Sequence, residues 1–277
     1  SHTVVELQKN GYDVIIADNL VNSSLEVLDG IEKITGIRPE FEEIDLTDGE
    51  VTRDFFARHS DIRAVIHFAA LKAVGESVSK PLEYYFNNLN SLMNVLTCMR
   101  EFKVPNLVFS SSCTVYGQAD VLPVTEKTPR HEAESPYGNT KVMSEDIIRD
   151  LMRVEPDMKA LALRYFNPIG AHPTAFIGEL PNGVPNNLIP YLTQTAIGIR
   201  EQLSVFGDDY NTPDGSPLRD YIDVVDLAQA HVVAIRRLLD GKNKKNYEFF
   251  NIGTGKALSV LEIIHAFEHA TGVKVNY

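Results

Sequence analysis

Short apolar runs alternate with longer amphipathic stretches along the first 166 residues. The apolar runs are rich in Val, Ile, Leu and Ala, which is typical of strands buried on both faces. They predict strands at 13–18, 64–70, 106–112 and 160–166, and another that ends at Ile44. The amphipathic stretches repeat apolar residues every three to four positions and predict helices at 24–35, 49–59, 81–102 and 136–154. An opening amphipathic helix ends near Gly11.

This order of elements indicates βαβ units, and therefore an α/β fold with a doubly wound parallel sheet. From Asn167 onward the composition of the sequence changes. Residues 168–190 are rich in Pro, Gly and Asn, which predicts a long functional loop. A helix near 187–199 and a turn-rich insert at 207–217 follow. We therefore expect a smaller C-terminal region beside the sheet.

Composition narrows the possible partners. The 277 residues are 44% hydrophobic, so the chain can bury a large core. The net charge of -12 and the lack of any basic run argue against nucleic acid or an anionic membrane as partner. Cys98 and Cys113 have neither metal-site nor disulfide-framework spacing, which fits a reducing cytoplasm. No apolar run approaches the roughly 18 residues of a membrane span.

Tyr137 and Lys141 are four residues apart in a predicted helix, which places a phenol and an ammonium on one face. A free Tyr titrates near pH ~10, and a neighbouring cation favours the phenolate. The pair would then act as a base on a hydroxyl group. By itself the spacing is a weak motif, and an exposed helical contact explains it equally well.

Asp18 ends the first predicted strand, after a helix that starts at the beginning of the sequence. In a dinucleotide-binding fold an acidic residue ends the second strand, about 20 residues beyond a glycine-rich loop, and binds the adenosine ribose. We therefore expect a first strand and glycine loop before Ser1. The Asp18 carboxylate would disfavour a 2′-phosphate and select NAD over NADP. The alternative is that Asp18 is an ordinary turn residue.

Other polar and small residues fall where predicted strands end, at the edge where open α/β sheets bind ligands. Asp45 follows a strand and is placed to face the adenine amino group. The small residues Ala69 and Ala70 at the end of the 64–70 strand would let a cofactor approach the backbone. Ser110, Ser111 and Ser112 are either a satisfied strand-end cluster or include one hydroxyl that faces a helical Tyr.

Seven runs of the sequence, in order along nearly the whole chain, resemble the extended short-chain dehydrogenase/reductase family, and within it the epimerases that act at C4 of UDP-hexoses. They are HFAALKAVGES, VFSSSCTVYG, SPYGNTK, LRYFNPIGAHP, GVPNNLIPY, FGDDYNTPDG and RDYIDVVDLA. The resemblance implies a Rossmann-like NAD-binding domain over 1–166 and a UDP-sugar-binding region over 167–277. Segments at about 219–230 and 247–253 would return to the first domain.

The resemblance also assigns roles by position. Tyr137 becomes the general base, Lys141 the cation that lowers its pKa and binds the nicotinamide ribose, and Ser112 the hydroxyl beside the sugar O4. The NAD-contacting positions are Asp18, Asn19, Asp45, Leu46, Phe68, Ala69, Ala70, Lys72, Asn87 and Phe166. The UDP-sugar positions are Asn167, Asn187, Leu188, Ser204, Val205, Phe206 and Arg219. Asn187 is alternatively a helix N-cap, and Arg219 is alternatively an ion-pair partner of Asp220.

The reaction that the resemblance implies is the interconversion of UDP-galactose and UDP-glucose. A hydride passes from C4 to bound NAD+ while Tyr137 takes the O4 proton, and the 4-keto sugar turns over before the hydride returns to its other face. The resemblance further implies a homodimer through the helices at 81–102 and 136–154. It places further family segments beyond Tyr277, so that activity is expected of the full-length protein and is left open for this chain by itself.

Some residues depart from the family pattern or leave alternatives open. Cys113 and Asp223 stand where the family usually has Ala and His. Cys113 and Thr114 replace the acidic pair that a related dehydratase would need. No metal set is evident, because the His residues are scattered. A UDP-N-acetylhexosamine or UDP-pentose epimerase remains an alternative, as does a non-catalytic dinucleotide sensor, although such a sensor should lack the Tyr, Lys or Ser.

Overall fold

The computed structural model describes all of residues 1–277 and contains nine strands and nine α-helices. The strands are β1 (Ile15–Asp18), β2 (Glu40–Glu43), β3 (Ala64–His67), β4 (Asn106–Ser112), β5 (Lys159–Tyr165), β6 (Asn167–Ile169), β7 (Leu218–Asp223), β8 (Tyr247–Ile252) and β9 (Ala257–Ser259). The helices are α1 (His2–Lys9), α2 (Glu26–Thr35), α3 (Gly49–Arg58), α4 (Val74–Ser79), α5 (Pro81–Glu101), α6 (Pro136–Val154), α7 (Leu188–Ala196), α8 (Val224–Leu239) and α9 (Val260–Thr271). A 3-10 helix, Cys113–Tyr116, follows β4.

The strands form parallel ladders. β3, β4, β5 and β8 are hydrogen-bonded in that order, and β1 and β2 form a separate parallel pair. A third, mixed ladder joins β6, β7 and β9. Because parallel strands need crossover connections, helices lie between them along the chain. The predicted doubly wound α/β fold is confirmed.

Both faces of the four-stranded ladder are covered by helices. Residues 107 and 109 of β4 pack with α3, α5 and α6, whereas Val108 packs with Leu161, Leu163 and α8. This alternation follows from the two-residue period of a strand, and it explains the continuous apolar runs in the sequence. On the second face α1 also packs against α2 and α8.

The predicted elements agree with the structure most closely in the first 166 residues. The strand predicted at 106–112 is β4 without any change, whereas the one predicted at 64–70 already ends at His67. The helix predicted at 187–199 ends at Ala196, and the predicted loop at 168–190 contains most of β6. The sequence analysis did not predict α4, α8 or α9. None of the helices combines the length and apolar character that crossing a membrane requires.

Candidate active site

Ser112, Tyr137 and Lys141 come together at the carboxyl end of β4. Ser135 caps α6 by accepting a hydrogen bond from the Gly138 amide at 3.1 Å, and Pro136 occupies the first helical position. Tyr137 therefore lies in the first turn of α6, and Lys141 lies one turn later. Ser112 is the last residue of β4 and is buried, as is Lys141.

Lys141 is a buried cation held against the backbone of β4. Its Nζ donates to the Ser110 carbonyl oxygen at 2.7 Å and lies 5.0 Å from the centre of the Phe109 ring. Burial lowers the pKa of Lys141 to about 8, although the negative charge of Glu145 acts in the opposite direction. The ammonium is therefore close to the point at which it can lose its proton near neutral pH.

The phenol of Tyr137 does not have the lowered pKa that the sequence analysis expected. Burial raises the pKa of Tyr137 far above its ordinary value, and the neighbouring Tyr165, Cys113 and Tyr84 act in the same direction. The nearby Ser112 hydroxyl lowers the pKa of Tyr137, but by less. Desolvation disfavours the phenolate, and Lys141 points to a backbone carbonyl instead of the phenol oxygen. Burial of the phenol therefore opposes the lowered pKa that the sequence predicted.

The three consecutive serines of β4 have three different partners. Ser110 Oγ is hydrogen-bonded to the Tyr165 hydroxyl, and Ser111 Oγ donates to Glu145 Oε1 at 2.5 Å. Ser112 Oγ accepts from the Thr114 amide at 3.2 Å and stays beside Tyr137. Each sequence interpretation therefore applies to part of the cluster. Ser110 and Ser111 are satisfied by structural hydrogen bonds, and Ser112 is the hydroxyl beside the helical Tyr.

A cleft at the ends of β1, β2 and β3 is shaped for a dinucleotide. Asp18 Oδ1 accepts from the Leu20 amide at 2.7 Å and from Ser23 Oγ at 2.8 Å, which leaves Oδ2 to accept from a ribose hydroxyl. The small side chains Ala69 and Ala70 form one wall and let a ligand approach the backbone. Predicted cofactor residues that line this cleft are Asp18, Asn19, Asp45, Leu46, Ala69, Ala70 and Asn87. These residues fit NAD.

Three other predicted cofactor residues lie outside that cleft. The Phe68 ring packs on His231 of α8, with 4.8 Å between the ring centres. Lys72 Nζ lies 3.6 Å from Glu179 Oε1. Phe166 links β5 to β6 and packs closely against Gly253, the residue after β8.

Asn187 occupies the N-cap position of α7, but its side chain does not cap the helix. Its Nδ2 donates to Glu179 Oε1 at 2.9 Å, so the interpretation of Asn187 as a simple helix cap is wrong. Glu179 therefore contacts both Lys72, a predicted cofactor residue, and Asn187, a predicted substrate residue. Leu188 begins α7 directly after Asn187.

Arg219 forms no ion pair with Asp220, which corrects the other alternative. The Asp220 carboxylate is engaged by the loop after β8: it accepts from the Thr254 amide at 2.9 Å, Thr254 Oγ1 at 2.6 Å and the Gly255 amide at 2.9 Å. Arg219 Nη1 donates to the Leu218 carbonyl oxygen at 2.7 Å, and the side chain is exposed. Its remaining guanidinium donors are free to bind a diphosphate.

The other predicted substrate residues lie near Arg219 in the fold or follow α7. Asn167 begins β6, and its backbone pairs with Tyr221 of β7. Ser204 is exposed, Val205 packs against the cluster around Leu192 and Ile264, and the Phe206 side chain is 81% exposed. An exposed aromatic ring can stack on a planar base.

The two departures from the family pattern have local explanations. Asp223 is the N-cap of α8, and its Oδ1 accepts from the Val225 amide at 2.7 Å. Asp is among the best N-cap residues, so the substitution suits this helix. Cys113 begins the 3-10 helix as a free thiol, and burial raises its pKa. A protonated, shielded thiol is a poor nucleophile.

Sequence reasoning missed several buried polar residues that hold the site together. Asn88 is one: its side chain bonds both the amide and the carbonyl of Leu71, and its Nδ2 donates to Thr140 Oγ1 at 3.1 Å. Glu145 is a second such residue. The sequence indicated it only by its place four residues after Lys141, which puts the two side chains on the same helix face. The buried residues of this kind that were not predicted are Asn88, Thr140, Glu145 and Arg164. Glu179, which is half-buried, was not predicted either.

Comparison with known proteins agrees with this geometry. UDP-glucose 4-epimerase of Bacillus subtilis (strain 168) is 51% identical over 277 residues, which are 100% of this chain and 80% of that protein. The Mus musculus UDP-glucose 4-epimerase is 49% identical over 283 residues, again over 100% of this chain and 80% of that protein. The similarity therefore extends over the cleft, the α6 dyad and the C-terminal region alike.

Solved structures show the same fold. The crystal structure of UDP-glucose 4-epimerase from Bifidobacterium longum in complex with NAD+ and UDP superposes with a TM-score of 0.94 at 46% identity, covering 100% of this chain and 81% of that one. The model of the NAD dependent epimerase/dehydratase family matches residues 1–253. The chain belongs to the NAD dependent epimerase/dehydratase family.

Proposed function

We propose that this chain is a UDP-glucose 4-epimerase that interconverts UDP-galactose and UDP-glucose. The observation that carries the proposal is the convergence of Ser112, Tyr137 and Lys141 at the end of β4, in a chain about half identical throughout to such enzymes. NAD, held by the cleft at β1–β3, supplies a reversible hydride acceptor for C4 of the sugar.

In this function Tyr137 takes the proton of the sugar O4 and later returns it. Ser112, whose hydroxyl lies close enough to Tyr137 to lower its pKa, would hold the O4 hydroxyl in line with the phenol. Lys141 contributes a positive charge behind the phenol and binds the nicotinamide ribose. The buried setting excludes water, which strengthens each of these electrostatic contacts.

The remaining assignments concern binding. Asp18, Asn19, Asp45, Leu46, Ala69, Ala70 and Asn87 would bind the cofactor within the cleft, and Phe68, Lys72 and Phe166 would bind it from its edges. We assign the UDP moiety to Asn167, Asn187, Leu188, Ser204, Val205, Phe206 and Arg219. The free guanidinium donors of Arg219 and the exposed Phe206 ring support that assignment.

We further propose the two binding regions and the homodimer that the sequence implies. Residues 1–166 would bind NAD and 167–277 the UDP-sugar, and the pairing of β8 with β5 supports the return of 247–253 to the first region. The exposed Leu82, Phe86 and Met93 on α5 support a homodimer. Two free cysteines support a reducing, cytoplasmic setting.

Turnover tests the function directly. The purified protein at its full length, supplied with NAD+, is expected to convert UDP-galactose to UDP-glucose, and coupled oxidation of the UDP-glucose formed follows the reaction. Tyr137→Phe should lower kcat by about a thousandfold, because it removes the acid–base group but keeps the ring. Conversion by the wild-type chain no faster than by Tyr137→Phe would refute the proposal, provided that both bind NAD+ equally.

A further inference from the structure

Glu145 is a fully buried carboxylate two turns beyond Tyr137 on α6. It accepts from Arg164 Nε at 2.8 Å through Oε1 and from Arg164 Nη2 at 2.6 Å through Oε2. Ser111 Oγ donates to the same Oε1 at 2.5 Å, and Arg130 Nη2 also donates to Oε2. One side chain of α6 is thereby tied to β4, to β5 and to the loop that precedes α6.

These contacts lie at one level of the sheet. Ser111, Arg164 and Asn251 are direct neighbours across β4, β5 and β8. The Arg164 guanidinium stacks on Phe249 at 3.9 Å and donates to the Tyr116 hydroxyl at 3.0 Å, which in turn donates to Asn251 Oδ1 at 2.7 Å. Ser112 stands one residue beyond this level, at the strand end.

Stability alone is a weak reason for such a pair. Arg164 is 2% exposed, and the desolvation of two buried ions offsets much of their attraction, so that apolar residues of the same volume often serve as well. What an apolar pair cannot supply is direction, because each of these hydrogen bonds fixes an angle and a distance. The buried pair is better explained as a means of fixing the positions of the groups to which it is hydrogen-bonded.

Ser111 separates the two β4 residues that meet the catalytic helix. The Ser110 carbonyl accepts from Lys141, and Ser112 lies beside Tyr137. We infer that Glu145, oriented by Arg164, is a positioning residue that holds the end of β4 against α6 through Ser111 and so sets the spacing between Ser112 and Tyr137. This inference rests on the proposed function and deepens it.

The charge state of Glu145 agrees with this role. Burial by itself would raise its pKa, but the hydrogen bonds and charge of Arg164, together with Ser111 and Arg130, hold the pKa of Glu145 below its ordinary value. The side chain is therefore an ionised, fully accepting carboxylate. A carboxylate of this kind can hold Ser111 and Arg164 at the same time.

Two variants separate positioning from simple stability. Glu145→Gln leaves Arg164 buried without a charge partner, so this variant can fail to fold. Ser111→Ala is the decisive variant, because it removes the hydrogen bond between β4 and Glu145 and leaves the Glu145–Arg164 ion pair intact. Glu248→Gln is the matched control: Glu248 is mostly buried and accepts from Arg237 Nε at 2.9 Å, but its hydrogen bonds go to α8 and to the Lys244 amide.

For Ser111→Ala we expect kcat on UDP-galactose to fall about tenfold while KM changes less than about twofold, because misplacement of a catalytic group slows chemistry without weakening binding. With saturating NAD+ bound, the Tyr137 pKa, read as the phenolate absorbance that is lost in Tyr137→Phe, should rise as Ser112 moves away. Glu248→Gln should change neither quantity. A Ser111→Ala protein with wild-type kcat and an unchanged phenol titration would overturn the inference. If the wild type itself lacks turnover, the proposed function fails, and the titration alone decides the role of Glu145.

Discussion

Lys141 lies one helical turn after Tyr137, with its Nζ 5.8 Å from the centre of the Tyr137 ring, but it hydrogen-bonds to the Ser110 carbonyl and not to the phenol oxygen. The cation thus acts on the phenol only through space. Burial acts on both groups in the directions that favour their neutral forms. Burial therefore works against the phenolate and ammonium forms that the proposed function requires of the two side chains.

We therefore predict that the Tyr137 phenol stays protonated above pH 10.0, its ordinary pKa, in the protein without NAD+. Bound NAD+ should lower the pKa, because the positive nicotinamide ring favours the phenolate. The measurement is a spectrophotometric titration of the wild type minus Tyr137→Phe, with and without saturating NAD+. An identical titration in both conditions, with NAD+ binding verified by calorimetry, would contradict this prediction.

Lys141→Met should abolish turnover but stabilise the fold. The folded pKa of Lys141 is about 8, below its ordinary value of 10.5, so the cost of burying the charge is fully present below about pH 8. Between the two values the unfolded state binds more protons, and stability rises with pH. At about pH 7 the variant should gain on the order of 2 kcal/mol, after allowance for the unpaired Ser110 carbonyl.

Urea denaturation at several pH values measures this effect. The rise of stability between about pH 8 and 10.5 should be missing from Lys141→Met. The exposed Lys242→Met, which loses only a surface pair with Asp240, should keep the wild-type pH dependence. A Lys141→Met protein less stable than the wild type at neutral pH would show that the ammonium contributes more to the fold than its burial costs.

The sequence predicted the sheet better than the site because the two depend on different information. The runs that became β4 and β5 are apolar on both faces, and that pattern is visible within seven residues. The partners of Glu145 and Asp220 come from segments 15 to 35 residues away, and no local period indicates them. The pKa of Tyr137 was mispredicted for the same reason, because burial is a property of the packed fold.

Asp18→Asn should weaken NAD+ binding by about tenfold, since a hydrogen bond to a charged acceptor contributes roughly 1.5 kcal/mol. NADP+ should lose less affinity or gain some, because the repulsion of a 2′-phosphate is removed. Calorimetric titration with both dinucleotides gives the two changes. Asp29→Asn on α2, which breaks only an exposed pair with Arg38, is the control and should leave both affinities unchanged. Equal losses for NAD+ and NADP+ would contradict the assignment of Asp18 to the ribose.

Gly253→Ala should disturb the junction between the two regions. A Cβ there would lie 2.6 Å from Asp220 Oδ2 and 2.7 Å from Phe166 Cδ2. We expect a loss of about 2 kcal/mol and a raised KM for UDP-galactose, because Asp220 adjoins Arg219. Gly75→Ala, where a Cβ meets open space, is the control and should alter neither thermal stability nor KM by much. A wild-type KM in Gly253→Ala would show that Arg219 is positioned independently of this junction.

Phe86→Glu should convert a homodimer to monomers. Leu82, Phe86 and Met93 repeat at helical spacing on α5, and their side chains are 78%, 64% and 45% exposed, an apolar stripe that water disfavours. A carboxylate at its centre would have to be desolvated in an interface. Size-exclusion chromatography with light scattering, over a range of concentrations, reports the mass. Val233→Glu replaces an equally exposed apolar residue on α8, which covers the other face of the sheet, and should remain dimeric. If both variants keep the wild-type mass, α5 is not the dimer surface; if Val233→Glu alone dissociates, the interface lies on α8.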